Sequence, residues 1–164
     1  MRRSAMVASL AAGAALLTGC SAPGEPEVTF FADGKTIRTE PTVHCDIFSG
    51  TCTQSQANPA SLKARPGKPV QISVPAEIAA TPWRVVIVYA NSKGELQPAI
   101  EKHFSSDEQY AFTASTPNPG DQILGIEVQQ PAPAVDQGRL VVEEDGTPVL
   151  VMRAFWSLQI ESAV

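Results

Sequence analysis

Along most of the chain, hydrophobic and polar positions alternate with a period of two, the repeat that sends successive side chains to opposite faces of a β-strand. Val28 to Ala32 and Lys35 to Thr39 flank Asp33-Gly34, a pair that favours the two-residue turn of a hairpin. Pro41 breaks the run, and Thr42 to Ile47 leads into a short loop between two cysteines. Val70, Ile72 and Val74 alternate with Gln71 and Ser73 as far as Pro75. Trp83 to Ala90 is apolar on both parities except at Arg84, as expected of a central strand covered on both faces. Glu95 to Phe104 is an extended stretch, and Gln109 to Ala114 places Tyr110 and Phe112 on one face. Leu124, Ile126 and Val128 form the apolar face of a strand that Pro131 and Pro133 should stop. Arg139 to Glu144 and Thr147 to Glu161 flank Asp145-Gly146, a second hairpin signal. In the last strand Leu150, Met152, Ala154, Trp156, Leu158 and Ile160 share a face.

Helical spacing is scarce. Only Glu77 to Ala80 and Ser105 to Gln109 offer single helical turns, while Thr53 to Arg65 and Thr116 to Gly120 have the polarity and prolines of surface loops. Short strands separated by 14 prolines and 11 glycines predict an all-β, antiparallel two-sheet sandwich of immunoglobulin-like type, with a small closed β-barrel as the alternative. The immunoglobulin hallmark, two cysteines bridging the sheets around a buried Trp, is absent. Cys45 and Cys52 both precede Trp83 and stand close together.

The first twenty residues break this pattern. Arg2 and Arg3 precede an apolar run from Ala5 to Leu17, 13 residues, which suits a signal peptide and is too short to span a bilayer. The run closes on Leu17-Thr18-Gly19-Cys20, which resembles the lipobox of bacterial lipoproteins. That resemblance implies that Cys20 receives a diacylglyceryl group, that cleavage falls just before it, and that acyl chains anchor the protein on the extracytoplasmic face of the cell membrane. Residues 1–19 are thus expected as signal peptide, 20–27 as lipidated cysteine and tether, and 28–164 as one β-domain. Ser21 to Glu27 would reach at most about 25 Å, keeping the domain close to the membrane.

Removing Arg2 and Arg3 leaves 10 Lys and Arg against 17 Asp and Glu, a formal net charge of −7. Such a surface argues against nucleic acid as a partner. With Cys20 committed to lipid, Cys45 and Cys52 form an even pair in an exported chain, most simply a disulfide. His44 beside Cys45 and Asp46 could suggest a metal site. Consecutive strand residues point to alternate sides, however, and no second ligand cluster is present, so no metal is expected.

Catalytic patterns are missing. No nucleophile elbow, zinc-protease helix, phosphate-binding glycine loop or Ser-x-x-Lys motif occurs, and His44 and His103 are the only histidines. No catalytic residue, no cofactor and no enzymatic activity are expected. Candidate binding residues are Arg153 and Phe155, which share a strand face with Ser157, because a partly exposed aromatic beside an arginine is a common recognition element.

Taken together, the lipobox, Val43-His44-Cys45-Asp46 followed by Cys52, the Pro69 to Pro75 strand and Thr81-Pro82-Trp83 before an apolar strand resemble a family of uncharacterised actinobacterial lipoproteins, a domain-of-unknown-function group. The resemblance implies a fold and an address and no catalytic residues. The expected function is a membrane-anchored, non-catalytic binding or cell-envelope assembly module holding an envelope protein or cell-wall component. The alternative is a carrier that shelters a lipid or other apolar ligand within the β-domain. Cys20→Ala should move the protein out of the membrane fraction of its host or stall it as precursor. An unchanged membrane fraction would sink the anchor.

Overall fold

The computed structural model describes residues 24–56 and 59–163, so Cys20 and the predicted signal segment lie outside the described residues. The chain forms β1 (Val28–Ala32), β2 (Lys35–Thr39), β3 (Val43–Cys45), β4 (Cys52–Gln54), β5 (Ala60–Ala64) and β6 (Val70–Ser73). A four-residue helix α1 (Ala76–Ala79) precedes β7 (Trp83–Ala90), β8 (Ile100–Phe104), β9 (Ala111–Ala114) and β10 (Gln122–Pro133). The last elements are β11 (Val135–Asp136), β12 (Arg139–Leu140) and β13 (Leu150–Ser162).

Two sheets face each other. The smaller has the order β2-β1-β6-β9, and the larger runs β4-β3-β13-β10-β7-β8 with β5 added beside β13. Neither sheet closes on itself, so the barrel alternative does not hold and the sandwich does. Alternation explains the core. Val28, Phe30, Val70, Ile72 and Ala114 face inward from the small sheet, and Trp83, Val85, Ile87, Ile126, Val128, Trp156 and Leu158 meet them from the large one. Trp83 stacks on Phe104 at 4.2 Å, and Phe104 meets Phe112 of the opposite sheet at 5.4 Å, which seals one flank. Helix α1 buries Ile78 between the sheets, and the buried Gln130 donates from Nε2 to Glu77 O (3.2 Å) and Thr81 Oγ1 (2.8 Å).

Several expectations fail, each for a tertiary reason. The supposed loop from Thr53 to Arg65 contains β5, whose Leu62 and Ala64 are buried because it pairs in parallel with Leu158 to Ser162. Pro131 and Pro133 do not stop β10. Its partnership with β7 ends at Gln129, so the prolines lose no hydrogen-bond partner on that side and continue to pair with β13. A bulge at Leu124 turns that side chain outward and puts Ile123 in the core instead. A second bulge falls at Arg153, since Gln130 pairs with Ala154 and Pro131 with Met152. It breaks the phase of β13: Ala154, Trp156, Leu158 and Ile160 are buried as expected, while Leu150 is exposed and Met152 only half-buried. The expected long hairpin about Asp145-Gly146 is two small ones. Val135 pairs with Leu140, and Val142 bridges Pro148. Finally, β7 is covered on one face only: Arg84 and Val86 are half-buried and Val88 is exposed on the other.

The β1–β2 turn is clamped to the end of β5. Arg65 donates from Nε (2.7 Å) and Nη2 (2.5 Å) to the two carboxylate oxygens of Asp33, whose φ of 45° is that of a turn residue. Nearby, Gly67 has a φ of +73°, and a Cβ there would stand 2.0 Å from Pro119 O, so only glycine lets these loops meet. The hydrogen bonds from Arg65 hold the Asp33 carboxyl down at about 2 from the ordinary 3.8. A folded value below the unfolded one makes this stabilisation complete above the ordinary carboxylate range and drains it as pH falls through about 4 to about 2. Asp33→Asn keeps a residue that tolerates positive φ and should lower the urea midpoint at pH 6, the difference from wild type vanishing near pH 2. A pH-independent difference would show that the ion pair contributes nothing.

Candidate binding face

Strand pairing assembles the site from residues of five strands. On the face of the large sheet turned away from the core, register aligns His103 (β8), Arg84 (β7), Gln129 (β10), Phe155 (β13) and Val43 (β3) in one row. A second row aligns Glu101, Val86, Glu127 and Ser157. Cross-strand neighbours on one face stand close enough for side chains to bond, and here they do. Arg84 Nε donates to Gln129 Oε1 at 2.6 Å, and Gln129 Nε2 donates to Glu127 Oε2 at 2.7 Å. Glu101 Oε2 lies 3.6 Å from Arg84 Nη1 and 3.5 Å from His103 Nε2.

This network holds its polar atoms in place and ends against the half-buried Phe155. Arg153, also half-buried, has no ion-pair partner among the described residues. Register puts Phe155 in the first row, and the bulge leaves Arg153, two residues away on the same strand, without a partner in the ladder. The polar row escaped the sequence analysis because its members lie far apart in the chain and only strand register joins them. One signal was visible: Arg84, the single charge in an otherwise apolar strand.

Cys45 and Cys52 are directly opposite each other in β3 and β4 and form the expected disulfide. It closes a hairpin whose loop is organised by Asp46. Its Oδ1 accepts the N–H groups of Phe48 (2.8 Å) and Ser49 (3.0 Å), which lowers its pKa. His44 Nδ1 meets Glu25 Oε1 at 3.0 Å, so this histidine ties the segment before β1 to β3. Pro26 O accepts a hydrogen bond from the buried Trp156 Nε1 at 2.9 Å, and Glu27 lies 3.5 Å from Arg38. The last three residues of the expected tether are thus part of the folded surface. Among the described residues, no group of three or more His, Cys, Asp or Glu is arranged to hold a metal.

Hollows on the surface are shallow and mix polar with apolar lining. One of about 280 Å³ is lined by Glu27, Arg38, Glu40 and Thr42 among others, and another of about 310 Å³ adjoins it at Gly24, Pro75 and Glu77. The space between the sheets is filled by Trp83, Trp156, Phe30, Ile72 and their neighbours.

These features define a two-sheet β-sandwich with a disulfide-closed hairpin at one edge and an open polar sheet face. Residues 21–161 match the family described as "Protein of unknown function (DUF2771)", and the chain belongs to that family. It is similar to the uncharacterized protein Rv0875c of Mycobacterium tuberculosis H37Rv and the uncharacterized protein Mb0899c of Mycobacterium bovis. Each is 31% identical over 153 residues, covering 91% of this chain and 86% of the relative. No solved structure matches.

A disulfide closing so short a loop removes little freedom from the unfolded chain. With seven residues of separation, the Cys45→Ser/Cys52→Ser pair should lower unfolding free energy by at most about 2.5 kcal/mol in a denaturant titration. A larger loss would mean that the bridge also supports the sheet edge beyond its own hairpin.

Proposed function

We propose that the chain is an extracytoplasmic lipoprotein, anchored through Cys20 in the cell membrane, that acts as a non-catalytic binding or cell-envelope assembly module. The observation that carries the binding role is the outer face of the large sheet, where Phe155 and Arg153 border a pre-ordered network of Arg84, Gln129 and Glu127. An apolar patch beside fixed donors and acceptors suits an extended polar partner, an envelope protein or a cell-wall component. The anchor rests on the lipobox pattern at Leu17-Thr18-Gly19-Cys20. The Cys45–Cys52 disulfide adds support, since such bonds persist in oxidising compartments outside the cytoplasm. The filled inter-sheet space favours a binding surface over an internal lipid carrier.

The test is photocrosslinking in intact cells of the native host. A crosslinking amino acid at Phe155 should capture a discrete envelope component, Arg153→Ala should weaken that capture, and the same group at Thr113 of the opposite sheet should capture none. Identical patterns from both positions, or none from either, would overturn the assignment of this face.

A further inference from the structure

We infer that one end of the sandwich rests in the interfacial zone of the lipid bilayer, with Phe48 and Leu150 as its apolar contacts. The inference rests on the Cys20 anchor proposed above and adds the orientation of the domain. Five large hydrophobic residues are exposed toward this end: Phe48 (81%), Leu150 (63%), Leu140 (59%), Val142 (52%) and Val151 (41%). Register places them. His44 pairs with Ala154 and β3 runs antiparallel to β13, so beyond Cys45 the disulfide hairpin continues in the direction of Met152 and Leu150. The two small hairpins carrying Leu140 and Val142 extend from that same end of the β10–β13 pair.

The chain leaves the domain in the same direction. Followed backward from β1, it passes Trp156 at Pro26 and then reaches His44, the partner of Ala154, at Glu25. Gly24 lines a groove with Glu77, whose carbonyl is bonded to Gln130, and Gln130 also pairs with Ala154. Only Ser21 to Gly24 then separate Cys20 from the docked Glu25, a reach of at most about 18 Å. An acylated Cys20 therefore brings this end, and not the opposite one, to the lipid surface.

The loop is built to present its aromatic ring. Asp46 fixes the backbone at Phe48 and Ser49, its own carbonyl accepts the Gly50 N–H at 2.9 Å, and the disulfide closes the base. Little conformational freedom is lost when such a side chain enters an interface. One phenylalanine would not bind a membrane alone, but the anchor raises its effective concentration at the surface. Asp46, Glu143, Glu144 and Asp145 outnumber Arg139 and Arg153 around this end. The contact is therefore apolar and shallow, and anionic lipid weakens it.

The lipidated protein is reconstituted into phosphatidylcholine vesicles carrying brominated acyl chains, with Trp placed by Phe48→Trp, Leu150→Trp or Leu96→Trp. Leu96 bridges Ala90, at the opposite end of the large sheet, and is 68% exposed. The native Trp83 and Trp156 are buried and supply a constant background. Quenching of the added fluorescence should be several-fold greater at positions 48 and 150 than at 96, and should fall when phosphatidylglycerol replaces phosphatidylcholine. Equal quenching at all three sites on vesicle-bound protein overturns the orientation and leaves the anchor standing, the outcome expected if a protein partner covers this end instead. Protein that does not stay with the vesicles overturns the anchor and this inference together.

Discussion

The structure hangs on β13. This 13-residue strand pairs along one edge with β10 and along the other with β3 and then β5, so five strands of the large sheet are ordered around it directly or through one neighbour. Its inward face supplies Ala154, Trp156, Leu158 and Ile160 to the core. Burying a side chain the size of Leu158 or Ile160 contributes about 1.5–3 kcal/mol, and the four residues together fix register, because a slip of one place would turn all of them toward solvent. The bond from the Trp156 indole to Pro26 extends this control to the segment before β1. A strand that satisfies its backbone on both edges leaves its outward face free for recognition.

The two bulges show how a regular ladder is adapted. At Leu124 an extra residue lets Ile123 reach the core and turns β10 near its start. At Arg153 the extra residue ends the inward apolar series of β13 and releases Leu150 and Val151 to the surface. Bulges bend and twist the strand that carries them. Here the second separates the part of β13 that makes the core from the part that leads into the two small hairpins. The apolar residues beyond it cost solubility unless something covers them.

Both proposed surfaces depend on order imposed before any partner arrives. The polar row on the large sheet is held by direct side-chain bonds through Arg84 and Gln129, which sit on interior strands of the sheet. The hairpin tip is held by Asp46 and by the Cys45–Cys52 bridge. Rigid strands and a stapled turn lower the entropy lost on contact.

Local chemistry in the sequence determined most of the strands, the Asp33-Gly34 turn, the sandwich class and the cysteine pairing, because each depends on residues near one another in the chain. Alternation with buried neighbours also placed Phe155 on the outer face of its strand. Tertiary structure alone decided where that alternation breaks. β5 has the composition of a loop and is a strand only because β13 offers it an edge. Pro131 is tolerated because β7 has already ended, and Leu150 is exposed because an unpaired Arg153 shifts the phase. Arg84, Gln129 and Glu127 form one face only once register aligns them. The period of a strand is written in its own residues, whereas its partner and register are set by the strand it lies against.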